Sequence, residues 1–367
     1  MRWQISRKME SGMDWQSAYE TIYAGTHFDI ALVCLWAKSY GNAMTNYALY
    51  HTLEKKYNVI VIEGITHPQD KFLDFAKAHY QMAVSLYPGG RESKVFECVD
   101  TVLVGSDQIW NYEFTQMHNW GHFFQLAFVG KNKRKVAYAS SFGRKGLEPP
   151  TAEYGADYRS FDAISVREES GVDSCYTHYG IQAVQVLDPV FLLRADEYKA
   201  LMPEQPPEEE PYILAYLLDA TMEKRAYCES LQKKTGGLKI VYIISNAPWY
   251  RDRWRHVLGF ENVKVELSLG DWLAYFHGAQ YIITDSFHGT CFSVIFQKQF
   301  VSFVHAAADR FDLFKKLPGV ADRILETVSE EGLQAFDKPL NYADVERYLA
   351  IERERSLAWL EAALQKV

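Results

Sequence analysis

The sequence predicts an α/β protein built from two doubly wound domains, and three observations carry the prediction. Apolar, β-favouring runs alternate with helix-patterned segments along most of the chain, as in parallel sheets covered by helices. The series breaks once, at the acidic, proline-rich stretch Met202-Pro203-Glu204-Gln205-Pro206-Pro207-Glu208-Glu209-Glu210-Pro211, and then starts again. The length of 367 residues also exceeds what one compact core organises.

The first strand is expected over Phe28–Trp36, a run of buried character that ends at the turn residues Ser39-Tyr40-Gly41-Asn42. A helix follows, in which Ala48, Leu49, Thr52 and Leu53 share one face. Asn58–Ile62 reads as the second strand, and Thr101–Val104, running into Gly105-Ser106-Asp107, as the third. Lys135–Ala139 is the fourth, ending at Ser140-Ser141-Phe142-Gly143. Ala163–Val166 is the fifth, ending at Arg167-Glu168-Glu169, and Gln182–Leu187 the sixth, closed by Asp188-Pro189. After the interruption come a strand at Tyr212–Leu217, a helix over Met222–Lys234, and strands at Lys239–Ile244, Tyr281–Thr284 and Phe300–Val304. Leu349, Leu357, Leu360 and Leu364 among many charges give an amphipathic terminal helix, and Met13, Trp15, Ala18 and Ile22 a short helix before the first strand. The expected organisation is therefore a helical extension over 1–27, a first domain over 28–203, a linker over 204–211, a second domain over 212–340 and a C-terminal helix over 341–367. Two such domains on one linker are expected to face each other across an interdomain cleft, a favoured ligand site.

Composition narrows the function classes. Hydrophobic residues make up 48% and charged residues 23%, which argues against extensive disorder. A formal charge of −8 argues against nucleic acid, whose phosphates need a dominant basic surface. The 15% aromatic share suits either sugar stacking or plain core packing. Five scattered cysteines without C-x-x-C spacing suit a reduced, cytoplasmic setting and offer no structural zinc site. No apolar run is long enough for a membrane span, and the charged first 27 residues do not resemble a secretory signal.

Several strand ends carry residues suited to chemistry. In Thr284-Asp285-Ser286-Phe287-His288-Gly289 an apolar strand turns abruptly polar and then enters a helix, which places His288 where open α/β sheets keep their ligands. A histidine there suits proton transfer near neutral pH, although a satisfied structural histidine fits the same pattern. Gly105-Ser106-Asp107-Gln108 is expected to open a helix, where Ser106 or Asp107 would act as a cap or the N–H groups as a phosphate cradle. Gly41-Asn42 is a backbone-exposing turn that could hold substrate or simply connect. Arg167, directly after a buried strand, either forks onto a carboxylate or phosphate or pairs with Glu168 or Glu169. The cationic, aromatic run Trp249–Arg255 reads equally as a pyrophosphate and sugar contact or a solvated helix start, and Lys131–Lys135 as a solvated loop. No dinucleotide or Walker fingerprint occurs.

These motifs resemble the polysaccharide pyruvyltransferase family. The resemblance rests on Gly41-Asn42, Val104-Gly105-Ser106-Asp107-Gln108-Ile109-Trp110-Asn111, Tyr138-Ala139-Ser140-Ser141-Phe142-Gly143, Ser165-Val166-Arg167-Glu168, Leu187-Asp188-Pro189 and Thr284-Asp285-Ser286-Phe287-His288-Gly289, in that order. It spans about Phe28 to Arg323 and leaves the first 27 residues outside. It implies a GT-B-like pair of Rossmann-like domains, phosphoenolpyruvate as donor with no further cofactor or metal, and a saccharide acceptor. It also implies that His288 is catalytic and that Arg167 binds the donor; Asn42, Ser106, Asp107, Ser286, Phe287, Gly289 and Arg310 complete the expected substrate shell. Where some relatives carry Arg-Leu before the histidine, this chain has Ser286 and Phe287, so Arg310 is the candidate for the missing cation.

The expected activity is ketalisation of a galactose-type hexose across O4 and O6, on a lipid-linked or nucleotide-activated precursor in capsule or exopolysaccharide synthesis. A polyprenyl-diphosphate-linked acceptor and peripheral contact with the inner face of the membrane go with that expectation. The alternatives are a GT-B glycosyltransferase using a sugar nucleotide, and a non-catalytic glycan-binding component of an assembly complex.

Overall fold

The structure is a computed structural model that describes residues 25–63, 71–84, 94–113, 122–143, 153–244, 257, 262–304 and 309–365. The expected N-terminal helix and the Trp249–Arg255 run lie almost wholly outside the described residues. The chain forms two compact units, one comprising Met1–Ala37, Asn42–Leu192 and Glu352–Val367, the other Lys38–Gly41 and Leu193–Ile351.

The first unit holds β1 (Phe28–Val33), α1 (Tyr40–Glu54, from Asn42 onward), β2 (Val59–Glu63), α2 (Lys71–His79), β3 (Met82–Val84), β4 (Val99–Asp107), β5 (Arg134–Ser140), α3 (Glu153–Tyr158), β6 (Ala163–Val166), α4 (Glu169–Tyr179) and β7 (Val184–Gln185). The strands form one parallel sheet in the order β3-β2-β1-β4-β5-β6-β7. Central β1 pairs with β2 (Ile30↔Val59) and with β4 (Leu32↔Leu103) and is buried on both faces. That two-sided burial is why its sequence is a continuous apolar run rather than an alternating one.

Two expectations are corrected here. Gly105-Ser106-Asp107 does not open a helix: β4 continues through Asp107, which pairs with Ser140 of β5, and the Ser106 hydroxyl donates to Ala139 O at 2.6 Å. The neighbouring strand satisfies Ser106, while the Asp107 carboxylate accepts from Asn42 Nδ2 and Gln108 N. Lys135 is no solvated loop residue either. It lies in β5, is buried, and its ammonium donates to Leu126 O at 3.0 Å and to the Ser160 hydroxyl at 3.3 Å.

The second unit holds α5 (Ala195–Lys199), β8 (Tyr212–Leu217), α6 (Met222–Lys234), β9 (Lys239–Ile244), β10 (Val263–Lys264), α7 (Leu269–Gly278), β11 (Tyr281–Thr284), α8 (Phe287–Ile295), β12 (Gln299–Phe303), α9 (Asp312–Lys316) and β13 (Ile324–Leu325). Its sheet is again parallel, in the order β10-β9-β8-β11-β12-β13. Ile213, Ala215, Leu217, Ile283 and Val301 from its strands pack against Tyr227, Cys228 and Leu231 of α6. The stretch expected as a linker lies within this unit, where Glu208 pairs with Lys239 (2.6 Å) and Lys264 (3.4 Å).

The last helix, α10 (Tyr342–Leu364), returns to the first unit from Glu352 onward. There the Arg353 Nε donates to Phe191 O at 2.6 Å and the Ser356 hydroxyl accepts from Leu187 N at 3.0 Å. Among the described residues no helix is long and apolar enough to cross a membrane.

Candidate functional site

In the second unit, Tyr281-Ile282-Ile283 of β11 is β-branched and aromatic, and the chain must leave the sheet where Thr284-Asp285-Ser286 turns polar. Each of these polar side chains has a structural task at the turn. The Thr284 hydroxyl donates to Tyr216 O of the adjacent strand (2.8 Å) and accepts from Ser286 N (3.1 Å). Ser286 is the N-cap of α8, its hydroxyl accepting from Gly289 N at 3.2 Å. The Thr290 hydroxyl donates back to Ser286 O at 3.0 Å.

Asp285 does the most connecting. Its carboxylate accepts from Leu218 N (2.6 Å), Asp219 N (3.0 Å) and the Lys224 ammonium (2.7 Å), and Lys224 also donates to Asp219 O (2.6 Å). The Asp285 and Lys224 side chains are 2% and 6% exposed, so the pair is a buried ion pair with its hydrogen bonds filled. It ties the ends of the paired strands β8 and β11 to the first turn of α6.

His288 sits half-buried in the first turn of α8, three residues beyond Asp285. The amide dipoles at a helix N-terminus favour an anion beside it. Its ring meets Phe287 edge-on at 5.1 Å between centroids, and Phe287 itself is buried against Phe311 (5.7 Å) and Phe314 (5.5 Å). Phe287, expected in the substrate shell, thus packs into an aromatic core. Arg310 is half-buried, its guanidinium 5.8 Å from the Phe311 ring centre. Gly289 is needed for space, because a Cβ there would strike the Thr284 hydroxyl. Gly41, which belongs to the same unit, lies directly against the His288 ring.

The first unit gathers Asn42, Asp107 and Arg167, as the sequence singled out, with Glu168 and Asp188. The Arg167 guanidinium contacts Asp188 (2.7 Å), Glu168 (3.4 Å) and Asp107 (3.8 Å), and its side chain is 2% exposed. Burial pushes its pKa down, but the carboxylates of Glu168, Asp188 and Asp107 outweigh that and hold it above the usual value. Asn42 Nδ2 donates to Asp107 Oδ2 at 3.0 Å, its Oδ1 accepts from Ala37 N at 3.0 Å, and the Ser141 hydroxyl donates to Glu168 Oε1. The pairing with Glu168 weighed from the sequence is therefore present, joined by two further carboxylates. Asp188 also caps the short turn after it, accepting from Val190 N at 3.1 Å.

Sequence reasoning passed over Lys224. The signal was nonetheless present: with Tyr227, Cys228 and Leu231 it forms a stripe at helical spacing, so a lysine occupies an apolar face and needs a buried partner. Among the described residues no group of three or more His, Cys, Asp or Glu is arranged to hold a metal ion.

Comparison with known proteins adds to this geometry. The family model described as "Polysaccharide pyruvyl transferase" matches residues 40–306. No curated protein sequence matches the chain. Among solved structures, one from Listeria monocytogenes, described as a UDP-N-acetylglucosamine 2-epimerase, aligns with a TM-score of 0.60 at 11% identity, covering 91% of this chain and 96% of that one. A Neisseria meningitidis UDP-GlcNAc 2-epimerase bound to UDP-GlcNAc aligns at 0.53 and 11% identity, covering 91% and 98%. Arabidopsis thaliana UGT89C1 complexed with UDP-L-rhamnose aligns at 0.52 and 11%, covering 92% and 99%. At these identities the likeness is one of fold, the GT-B-type pair of α/β units.

Proposed function

Given that the chain belongs to the polysaccharide pyruvyl transferase family, we propose that it transfers the pyruvyl group of phosphoenolpyruvate to a saccharide as a ketal, with His288 moving the proton. The observation that carries this reading is the placement of His288: a half-buried imidazole in the first turn of α8, held by a strand-end turn whose other polar side chains are committed to structure.

The reaction is redox-neutral. One acceptor hydroxyl adds across the donor's double bond, its oxygen bonding to C2 and a proton arriving at the methylene carbon, which becomes a methyl group. The second hydroxyl then bonds to C2 as the C2–O bond to phosphate breaks, and its proton leaves with the phosphate. His288 collects a proton from the first hydroxyl and delivers one to the methylene carbon, the kind of task suited to an imidazole. The donor's carboxylate and phosphate need positive potential. The amide dipoles of the α8 N-terminus and the Arg310 guanidinium are the features of this unit suited to supply it. We take the acceptor to be a galactose-type hexose, ketalised across O4 and O6 on a lipid-linked or nucleotide-activated precursor. The protein would then act in the cytoplasm, at the inner face of the membrane when the acceptor is polyprenyl-linked.

The test is mass spectrometry of a pooled saccharide screen with phosphoenolpyruvate, alongside phosphate release. The expected product is the acceptor carrying one pyruvate ketal, and His288→Ala should abolish acceptor-dependent phosphate release. Near-normal turnover by that variant would overturn the role of His288. Product formed only from a sugar nucleotide would mark a glycosyltransferase, and saccharide binding without donor consumption a non-catalytic component.

A further inference from the structure

Gly41 is the second residue of α1 and has no positive φ, so its backbone does not require glycine. An alanine at such a position would ordinarily favour the helix, by about 1 kcal/mol over glycine in a helix interior and less near its end. What forbids a side chain is His288: a Cβ added at Gly41 would lie under 3.0 Å from three of its atoms, Nδ1, Cγ and Cβ. The neighbouring Tyr40 fixes this stretch within the same unit. Its ring stacks on Trp272 (5.4 Å between centroids, 3° between planes) and its hydroxyl donates to Leu267 O at 3.0 Å. The backbone that meets the imidazole is thus braced and cannot simply move aside.

We propose that Gly41 is a positioning residue for His288: its missing side chain creates the space that sets the imidazole rotamer and closes the Nδ1 edge of the ring. The inference rests on His288 being the proton-transfer group, but its structural half can be tested without turnover.

Gly41→Ala should lower the melting temperature in the full-length protein and raise or leave it unchanged in the His288→Gly background, where Nδ1, Cγ and Cβ are all removed and the added methyl has room. Equal shifts in both backgrounds would overturn the positioning claim whatever the reaction is. In kinetics, Gly41→Ala should reduce kcat about 100-fold while the KM for phosphoenolpyruvate stays within about threefold, as expected when a proton-transfer group is misplaced and donor binding is left intact. A KM rise with unchanged kcat would overturn it. Histidine-selective ¹⁵N NMR, with His288 assigned by its loss in His288→Ala, should show phosphoenolpyruvate perturbing Nε2 more than Nδ1, and the reverse would refute closure of the Nδ1 edge. If the Gly41 melting cycle holds but His288→Ala still turns over, the proposed chemistry fails and the packing inference stands.

Discussion

Asp285 offers the sharpest test of how the His288 turn is held. Asp285→Ala removes the acceptor of three donors, Leu218 N, Asp219 N and the Lys224 ammonium, and leaves that ammonium only its bond to Asp219 O and the exposed Asp219 carboxylate 3.8 Å away. The dominant loss is electrostatic. The Asp285 and Lys224 side chains are nearly inaccessible, so solvent does little to replace the lost carboxylate, and breaking a buried ion pair from one side costs about 3–5 kcal/mol. For a unit of this size that corresponds to a fall of roughly 6–20 °C in its melting transition. Hydrogen exchange should localise the effect, with Leu218, Asp219 and the first turn of α8 losing protection before the central strands. The double variant Asp285→Ala with Lys224→Met removes the stranded charge and should recover part of the loss. If the single variant melts within about 2 °C of the parent, or the double variant is worse than the sum of the singles, the pair is not the anchor described here.

Two further outcomes follow from the same reasoning. Arg167→Met leaves Asp107, Glu168 and Asp188 without their shared cation and should cost about 3–5 kcal/mol, seen as a lower denaturation midpoint, with the KM for phosphoenolpyruvate of the folded protein changed by less than about threefold. A large KM increase at unchanged stability would place Arg167 in the donor shell, as the family resemblance implies. Glu208 should shape the acid limb of stability. Burial pushes its carboxyl up, but Lys239 and Lys264 outweigh that and hold its pKa below the usual value, so its stabilisation is present above the unfolded pKa and is lost as pH falls through the folded one. Glu208→Gln should therefore flatten the decline in melting temperature below about pH 4.5, and an unaltered acid limb would refute the linkage.

Much of the fold was legible because two-sided burial leaves a plain mark. Ala163–Val166, Tyr212–Leu217, Lys239–Ile244 and Tyr281–Thr284 are strands over the expected residues, and Met222–Lys234 is the expected helix. Each is an apolar or periodic run bounded by breakers. The edge strands β3, β10 and β13 were not legible, since two or three residues carry no period. The acidic stretch before β8 read as a linker, because nothing local announces that Glu208 will meet Lys239 and Lys264.

The candidate site divides along the same line. Local sequence determined that a polar turn follows β11 and that His288 stands at the start of the next helix, because strand ends and helix starts are decided within a few residues; that Ser286, expected to meet substrate, caps α8 emerged only in the structure. Only the tertiary structure decided that Gly41 lies against the His288 ring, that Lys224 reaches Asp285, and that Arg167 shares three carboxylates. Apart from Glu168, which adjoins Arg167 and was weighed as its partner from the sequence, those partners are distant along the chain, and register between strands and helices brings them together. Charge pairing and steric room are properties of that packing, so no local pattern could assign them.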